Sequence, residues 1–186
     1  MILTGGLGTR LLPASKAVPK SLLPVLDVPM IQLGVEELVS SGIRDIIFVV
    51  GPDMEAIQRH FSENSSVDRA IDSRSITSLD NLNQIISQVK FTFIVQDQPL
   101  GTGHAVLLTK PVVNDEPFLV VLPDDVVQTK QSPLPHMLKQ FDSLNASIIS
   151  AFEVPRKEVN RYGIIRLKES HGGHWLVEEV VEKPSP

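Results

Sequence analysis

The sequence predicts an α/β protein in which helices cover both faces of a mainly parallel sheet. Short runs rich in isoleucine and valine are apolar at consecutive positions, as strands buried on both faces are. Amphipathic stretches separate these runs, and such alternation favours crossover connections on both faces of one sheet. With 186 residues, of which 42% are hydrophobic, the chain is long enough to bury a substantial core.

Five apolar runs are predicted to be strands, at residues 1–4, 45–50, 91–96, 118–122 and 146–153. The apolar residues of segment 31–41 recur at helical spacing, and Gly42 follows as a stop signal. Three further segments have a similar pattern and are predicted to be helices, at residues 54–61, 104–108 and 134–144.

Two stretches depart from this alternation. Residues 62–87 are polar and uneven, which indicates an inserted loop with one or two helices, around 76–87. Residues 162–181 alternate between apolar and polar types, which predicts an antiparallel hairpin that turns at 172–173.

Composition excludes several kinds of function. The net charge of −5 argues against a protein that binds nucleic acid by bulk attraction. The absence of cysteine excludes disulfides, thiolate metal sites and a cysteine nucleophile. No apolar stretch approaches the roughly 18 residues that span a bilayer, and the N-terminus lacks the pattern of a signal peptide. We therefore expect a cytoplasmic protein without nucleic-acid or membrane partners.

The stretch TGGLGTR, residues 4–10, follows the first predicted strand. Its glycines allow the backbone to approach a ligand closely, and backbone N–H groups in such a turn can bind an anion. Neither GxGxxG nor the GK[ST] of a P-loop is present, and a plain strand-to-helix turn is the alternative. Arg10 favours a phosphate site, because its guanidinium offers a fixed fork of donors.

A lysine-bearing loop follows this turn directly. In SKAVPK, residues 15–20, Pro19 together with the preceding Pro13 forbids a regular helix, so Lys16 and Lys20 lie on a stiff loop. Solvated surface lysines are the alternative interpretation. Together with the glycine turn and Arg10, the loop predicts a clamp for polyphosphate.

Two later motifs come at the ends of predicted strands. In QDQPLGTGHA, residues 96–105, the Gln96 amide could pair with a pyrimidine edge, whereas His104 is predicted to be a packing or capping residue. In VVLPDD, two carboxylates, Asp124 and Asp125, lie at the carboxyl end of a strand, where open α/β sheets place their ligands. Carboxylates suit Mg²⁺, although solvated turn acids are the alternative.

The stretch GGLGTRLLPASKAVPKSLLPVLDVPMIQ, residues 5–32, resembles the start of the sugar-phosphate nucleotidyltransferases. It is most similar to the bacterial UTP–glucose-1-phosphate uridylyltransferases, or UDP-glucose pyrophosphorylases. PLGTGHAV, KPVVNDEPFLVVLPDD, YGII and VEKP follow in the order and approximate spacing of that family. Relatives that make dTDP-glucose share the glycine turn and the lysine, but LPASKAVPK and GHAV look more like the uridylyl branch.

The resemblance implies a Rossmann-like fold of the nucleotide-diphospho-sugar transferase type. It also implies that glucose 1-phosphate attacks the α-phosphorus of UTP in line, so that pyrophosphate leaves and UDP-glucose forms. Positioning and charge neutralisation drive such chemistry, with no covalent intermediate.

The family pattern also assigns roles to individual residues. Those near the nucleotide would be Gly5 and Gly6 at the uracil and ribose, Gly8, Thr9 and Arg10 on the triphosphate, and Gln96 and Gly101 at the base. The catalytic residues would be Arg10, Lys20 and Asp124, with Lys20 near the α-phosphate and Asp124 binding Mg²⁺. Those near the second substrate would be Gly163 and Glu182 at the sugar and Lys183 on its phosphate.

The chain differs from the family pattern in two respects. Thr4 stands where the family more often has alanine. The family also continues well past its EKP motif, so residues 1–186 are expected to form a nucleotidyltransferase domain that is incomplete at its C-terminus. A full-length member would be expected to form a homo-oligomer. Two alternatives stay open: a truncated nucleotide-binding or regulatory homologue without turnover, and a synthase of dTDP-sugars or another sugar nucleotide.

Overall fold

The computed structural model describes residues 1–6, 8–52, 54–62, 76–125, 132–168 and 175–185. The chain divides into two units, Met1–Lys139 and Gln140–Pro186. The strands of the first unit are β1 (Ile2–Leu3), β2 (Pro24–Val25), β3 (Val28–Pro29), β4 (Asp45–Val50) and β5 (Lys90–Val95). The helices are α1 (Met30–Ser40), α2 (Glu55–His60), α3 (Ile76–Gln88), α4 (Thr102–Leu108), α5 (Lys110–Val113) and α6 (Leu134–Leu144), which runs across the division.

The main sheet of the first unit is parallel and has the order β1-β4-β5, while β2 and β3 form a separate antiparallel pair. On the other side of β1, Val121 forms a parallel bridge with Ile2. The chain thus moves outward from β1 through β4 to β5 and then returns to the opposite side of β1. Such a reversal opens a crevice at the carboxyl ends of the strands, which is where ligands bind in open α/β sheets.

The hydrophobic core lies between this sheet and the helices. Phe48, in the middle of β4, is fully buried and stacks on three other rings, those of Phe61, Phe91 and Phe93, with centroids 5.0, 5.5 and 5.2 Å away. Helix α1 packs one face against the core at helical spacing, through Ile31, Val35 and Leu38. The crevice is therefore built on strands whose side chains are held by dense packing.

The second unit contains a six-residue 3₁₀ helix, Arg156–Arg161, and an antiparallel hairpin of β6 (Gly163–Lys168) and β7 (Leu176–Glu182). Gly163 pairs with Glu182, and the register shifts between Arg166 and Leu167. The hairpin confirms the predicted strands, while its predicted turn at 172–173 lies outside the described residues.

The α/β class with a parallel sheet flanked by helices is confirmed. Segments 45–50 and 134–144 have the predicted bounds, and the helices predicted at 31–41 and 54–61 and the strand at 91–96 differ by one residue at their ends. The predicted insertion 62–87 contains α3, but residues 63–75 lie outside the described ranges.

Two strand predictions need correction. Segment 118–122 forms only the bridge at Val121. Segment 146–153 is not a strand, and two of its large apolar side chains stay exposed, 56% for Ile149 and 73% for Phe152. Phe152 instead meets Tyr162 edge to face, with ring centroids 5.9 Å apart. Apolar composition alone predicted a strand that has no ladder partner among the described residues.

Among the described helices, none is both long and apolar enough to cross a membrane.

Candidate active site

Three chain segments leave the sheet at the same edge of the first unit. β1 leads into the glycine turn, β5 leads into Gln96, and the segment that bridges β1 leads into Asp124. Because these segments run parallel, their carboxyl ends lie side by side. The main chain of Gln96 continues the sheet, since its N–H donates to the Val50 carbonyl over 2.8 Å.

The glycine turn is anchored at both ends. At its start, the N–H and the hydroxyl of Thr4 both donate to the Val49 carbonyl, over 2.8 and 3.0 Å. At its end, Gly8 has φ 62°, a left-handed value that favours glycine. A Cβ on Gly8 would lie 3.0 Å from the Cβ of Ser15 and 3.1 Å from that of Lys20. The turn therefore packs directly against the lysine loop.

Ser15 fastens this contact, because its hydroxyl donates to the Gly8 carbonyl over 2.7 Å. The loop itself consists of single 3₁₀ turns, Thr9–Leu11, Ala14–Lys16 and Lys20–Leu22. No longer helix forms between the prolines, as predicted. Arg10 and Lys16 lie exposed on this loop, available to an anion.

Lys20 and Asp124 form an ion pair across the edge of the sheet. Their side chains are 32% and 46% exposed, so water screens the pair and its contribution to stability is small. Burial raises the pKa of the neighbouring Asp125, the charge of Asp124 raises it further, and Lys20 lowers it. Asp125 therefore lies close enough to the Lys20–Asp124 pair to feel the charge of both partners.

The Gln96 side chain is buried, with 7% exposed, and it lies between two glycines. Its Nε2 donates to the Gly101 carbonyl over 3.2 Å and lies 3.0 Å from Nδ1 of His104. A Cβ on Gly5 would lie only 2.8 Å from Oε1 of Gln96. Gly101 has φ 94°, which also favours glycine. The amide therefore faces the glycine turn, close to the backbone of Gly5.

The carboxylates of Asp124 and Asp125 are hard oxygen donors, the type that Mg²⁺ binds. Within the described ranges, histidine and acidic side chains form no group of three or more that could hold a metal alone. One or two carboxylates are nevertheless enough where substrate phosphates and water supply the other oxygens. The donor set fits an ion shared with a phosphorylated ligand.

In the second unit, three predicted residues lie together at the open end of the hairpin. A Cβ on Gly163 would be 3.2 Å from Oε2 of Glu182. Lys183 Nζ is 2.7 Å from Oε1 of Glu182, and the Lys183 N–H donates to the Tyr162 carbonyl over 3.0 Å. A carboxylate and an ammonium are thus presented beside a bare glycine backbone.

The structure brings the predicted residues together within each unit. In the first unit, contacts join Gly5 to Gln96, Gln96 to Gly101, Gly8 to Lys20, and Lys20 to Asp124. Gly6, Thr9 and Arg10 adjoin Gly5 and Gly8 in the chain, and no contact joins them to the other predicted residues among those described. Sequence reasoning missed the contacts of Ser15 and His104. Both stand inside motifs already singled out, SKAVPK and GHAV, but nothing in a linear pattern shows which distant group they touch.

The sequence profile of the family described as Nucleotidyl transferase matches residues 1–186. The chain belongs to this family. Among curated nucleotidyl transferase relatives, the UTP–glucose-1-phosphate uridylyltransferase of Bacillus subtilis is 40% identical over 185 residues, which is 99% of this chain. The enzyme of the same name from Streptococcus pneumoniae is 39% identical over 191 residues. The chain spans 63% and 64% of the length of these two relatives.

Solved nucleotidyl transferase structures agree with this assignment. An apo UDP-glucose pyrophosphorylase has a TM-score of 0.89 at 31% identity, over 99% of this chain and 69% of that one. The UTP-bound enzyme from Acinetobacter baumannii has a TM-score of 0.85 at 36% identity, over 99% and 67%. The predicted membership is therefore confirmed by both sequence and fold.

Proposed function

We propose that this nucleotidyl transferase chain binds UTP at the sheet edge and transfers its uridylyl group to glucose 1-phosphate. The observation that carries the proposal is the Lys20–Asp124 pair, which lies where the glycine turn and its lysine loop meet the end of the segment that bridges β1. The names of the relatives, UTP–glucose-1-phosphate uridylyltransferase, support the choice of substrates.

The glycine turn and the following loop hold the triphosphate. Gly8 and Thr9 offer backbone N–H groups, and Arg10 adds a guanidinium that can bind phosphate oxygens through two donors. Gly6 has no heavy atom within 4 Å of the Cβ that it lacks, so a nucleoside can approach its backbone. Gly5 and Gly6 then contact the uracil and ribose.

Lys20 neutralises charge on the α-phosphate. An oxygen of the sugar phosphate forms a bond to the α-phosphorus while the bond from that phosphorus to the bridging oxygen breaks, and pyrophosphate takes the electron pair. Negative charge spreads over the phosphoryl oxygens during this displacement. An ammonium fixed beside them stabilises the transition state more than the ground state.

Gln96 and Gly101 recognise the base. The carbonyl oxygen of the Gln96 amide accepts from the N–H of the uracil ring. Thymine presents the same edge and differs by one methyl group, so this contact alone does not separate UTP from dTTP.

Asp124 would hold Mg²⁺, with Asp125 beside it and phosphate oxygens completing the coordination. When bound, the ion would neutralise charge on the triphosphate. Asp124 also pairs with Lys20, so the same carboxylate keeps the lysine at this edge of the sheet.

The hairpin of the second unit contributes the contacts to the sugar phosphate. Gly163 leaves its backbone open to a sugar, the carboxylate of Glu182 accepts from sugar hydroxyls, and Lys183 binds the phosphate. The distances among these three residues support this role.

The test is the release of pyrophosphate from UTP and glucose 1-phosphate with Mg²⁺, run beside dTTP. We expect turnover with UTP and a loss of about 10² to 10³-fold in Lys20→Ala. Lys90→Ala is the matched control, because Lys90 also pairs with a carboxylate, that of Asp45, but at the amino end of its strand. It should keep full activity.

A nucleotide-binding module without turnover is the second candidate, because the contacts around Gly5, Gln96 and Gly101 concern the nucleotide alone. Calorimetric binding of UTP to a folded sample that releases no pyrophosphate would support that candidate and refute turnover by this chain. Turnover that prefers dTTP would instead indicate a dTDP-sugar synthase.

A further inference from the structure

The contacts of the Gln96 amide define which of its two ends faces the glycine turn. The Gly101 carbonyl oxygen can only accept a hydrogen bond, so the Gln96 atom 3.2 Å away must be the NH₂ group. The same NH₂ group lies 3.0 Å from Nδ1 of His104. Because the NH₂ group only donates, Nδ1 must accept, which requires the neutral imidazole with its proton on Nε2.

Both hydrogens of the Gln96 NH₂ group are therefore used inside the protein. Its carbonyl oxygen is left to face Gly5, 2.8 Å from the position of the Cβ that glycine lacks. Among the described residues, no hydrogen-bond donor reaches this oxygen. This oxygen is therefore available to accept a hydrogen bond from a ligand that brings a donor to this point.

We propose that His104 is a positioning residue that selects the base, because it holds the Gln96 amide with its carbonyl oxygen toward the nucleotide. The inference rests on the proposed function, in which the base lies at Gln96. A base with a ring N–H at its pairing edge, such as uracil or thymine, then meets an acceptor. Cytosine presents an unprotonated ring nitrogen at the same place, and two acceptors repel each other.

The hydrogen bond to the Gly101 carbonyl alone fixes the orientation of the Gln96 amide less firmly than the two hydrogen bonds together. If His104 is replaced by a side chain without an acceptor, one hydrogen of the NH₂ group loses its partner. Rotation of the amide by half a turn then becomes less unfavourable, and the rotated form presents NH₂ to the base. Discrimination between uracil and cytosine should decrease as a result.

The experiment measures the dissociation constants of UTP and CTP for the whole chain by calorimetry, in wild type and in three variants. His104→Phe keeps a ring but has no acceptor, and His104→Leu provides a second variant if the first is unstable by thermal melting. His104→Gln is the conservative variant, because its amide oxygen can accept from Gln96. We expect the preference for UTP over CTP to fall about five- to tenfold in the Phe and Leu variants and to return in the Gln variant.

The ratio separates positioning from a purely structural role. A general loss of structure weakens the binding of UTP and CTP alike and leaves the preference unchanged. That outcome would overturn the inference, whereas the proposed function would still be supported by UTP binding to wild type. A wild type that binds neither nucleotide would overturn the proposed function as well. If His104→Gln fails to restore the preference for UTP, something other than a hydrogen-bond acceptor is required at this position, and the inference would also be overturned.

Discussion

Two of the Lys–carboxylate pairs in this molecule, Lys20–Asp124 and Lys183–Glu182, have similar chemistry but are held in place by very different structures. Lys20 and Asp124 are 104 residues apart in sequence. Lys20 lies on the loop that packs against Gly8, and Asp124 follows the segment that forms a bridge with β1. Glu182 and Lys183 are neighbours in sequence, at the end of a strand whose seven residues are all exposed. The first pair depends on the whole fold of its unit, whereas the second depends on a local hairpin.

The comparison indicates that position, and not stability, is what both pairs contribute. Each pair is partly or largely exposed, and such pairs contribute at most about 1 kcal/mol. The positions of the Lys20 and Asp124 side chains must therefore be fixed by the buried strands and by the contact of Gly8 with the lysine loop. Disturbing the core should therefore affect the first site far more than any comparable change in the hairpin.

The largest effect is expected for Phe48→Ala. Phe48 is fully buried and touches three aromatic rings, so its truncation leaves a cavity and should lower the free energy of unfolding of the first unit by about 3 to 5 kcal/mol. Chemical denaturation followed by circular dichroism measures this change. Trp175→Ala is the aromatic control in the second unit, since Trp175 is 66% exposed.

The control should change the stability by less than about 0.5 kcal/mol. Equal losses in both variants would contradict the comparison, because they would show that the hairpin buries its aromatic residue as the sheet does.

The sequence was most informative where burial determines structure. The apolar run of β4 lies between two other elements of the sheet, so its composition left one interpretation, and its bounds agree with the prediction. Segment 146–153 has a similar composition but no partner strand among the described residues, so the same reasoning was wrong there. Whether an apolar run pairs is decided by the tertiary fold, which a local pattern does not contain.

The same distinction between local pattern and tertiary fold applies to the residues of the candidate site. Glycines that permit a turn, and charged residues that follow predicted strands, could be identified because the reason for each is local. The hydrogen bond from Ser15 to Gly8 and the contact of His104 with Gln96 depend on where two loops meet. Pairing of Lys20 with Asp124 could be expected only after both were assigned to the same edge of one sheet.

A smaller effect, confined to the site, is expected for Gly5→Ala. The new Cβ would lie 2.8 Å from the Gln96 carbonyl oxygen, so the amide must move away from the base and UTP affinity should fall about tenfold. Gly103→Ala is the matched control, because Gly103 lies in α4 with no heavy atom within 4 Å of its missing Cβ. Calorimetry with UTP compares the two variants.

The control should bind UTP as wild type does and gain about 0.5 to 1 kcal/mol of stability from the helix. If Gly5→Ala binds UTP normally, the base does not lie against Gln96 and Gly5.

The smallest effect is expected in the hairpin, for Arg166→Ala. Arg166 lies opposite Glu179 in the register, and Nη2 is 2.9 Å from Oε2, but the two side chains are 67% and 45% exposed. Cross-strand ion pairs of this kind contribute about 0.2 to 1 kcal/mol, and salt weakens them. Amide hydrogen exchange of β6 and β7 should therefore speed up less than about fivefold at low salt and hardly at all at 1 M salt. A larger change that persists at high salt would mean that the hairpin depends on this pair, and the contrast between a site fixed by a buried sheet and one carried by a solvated hairpin would no longer hold.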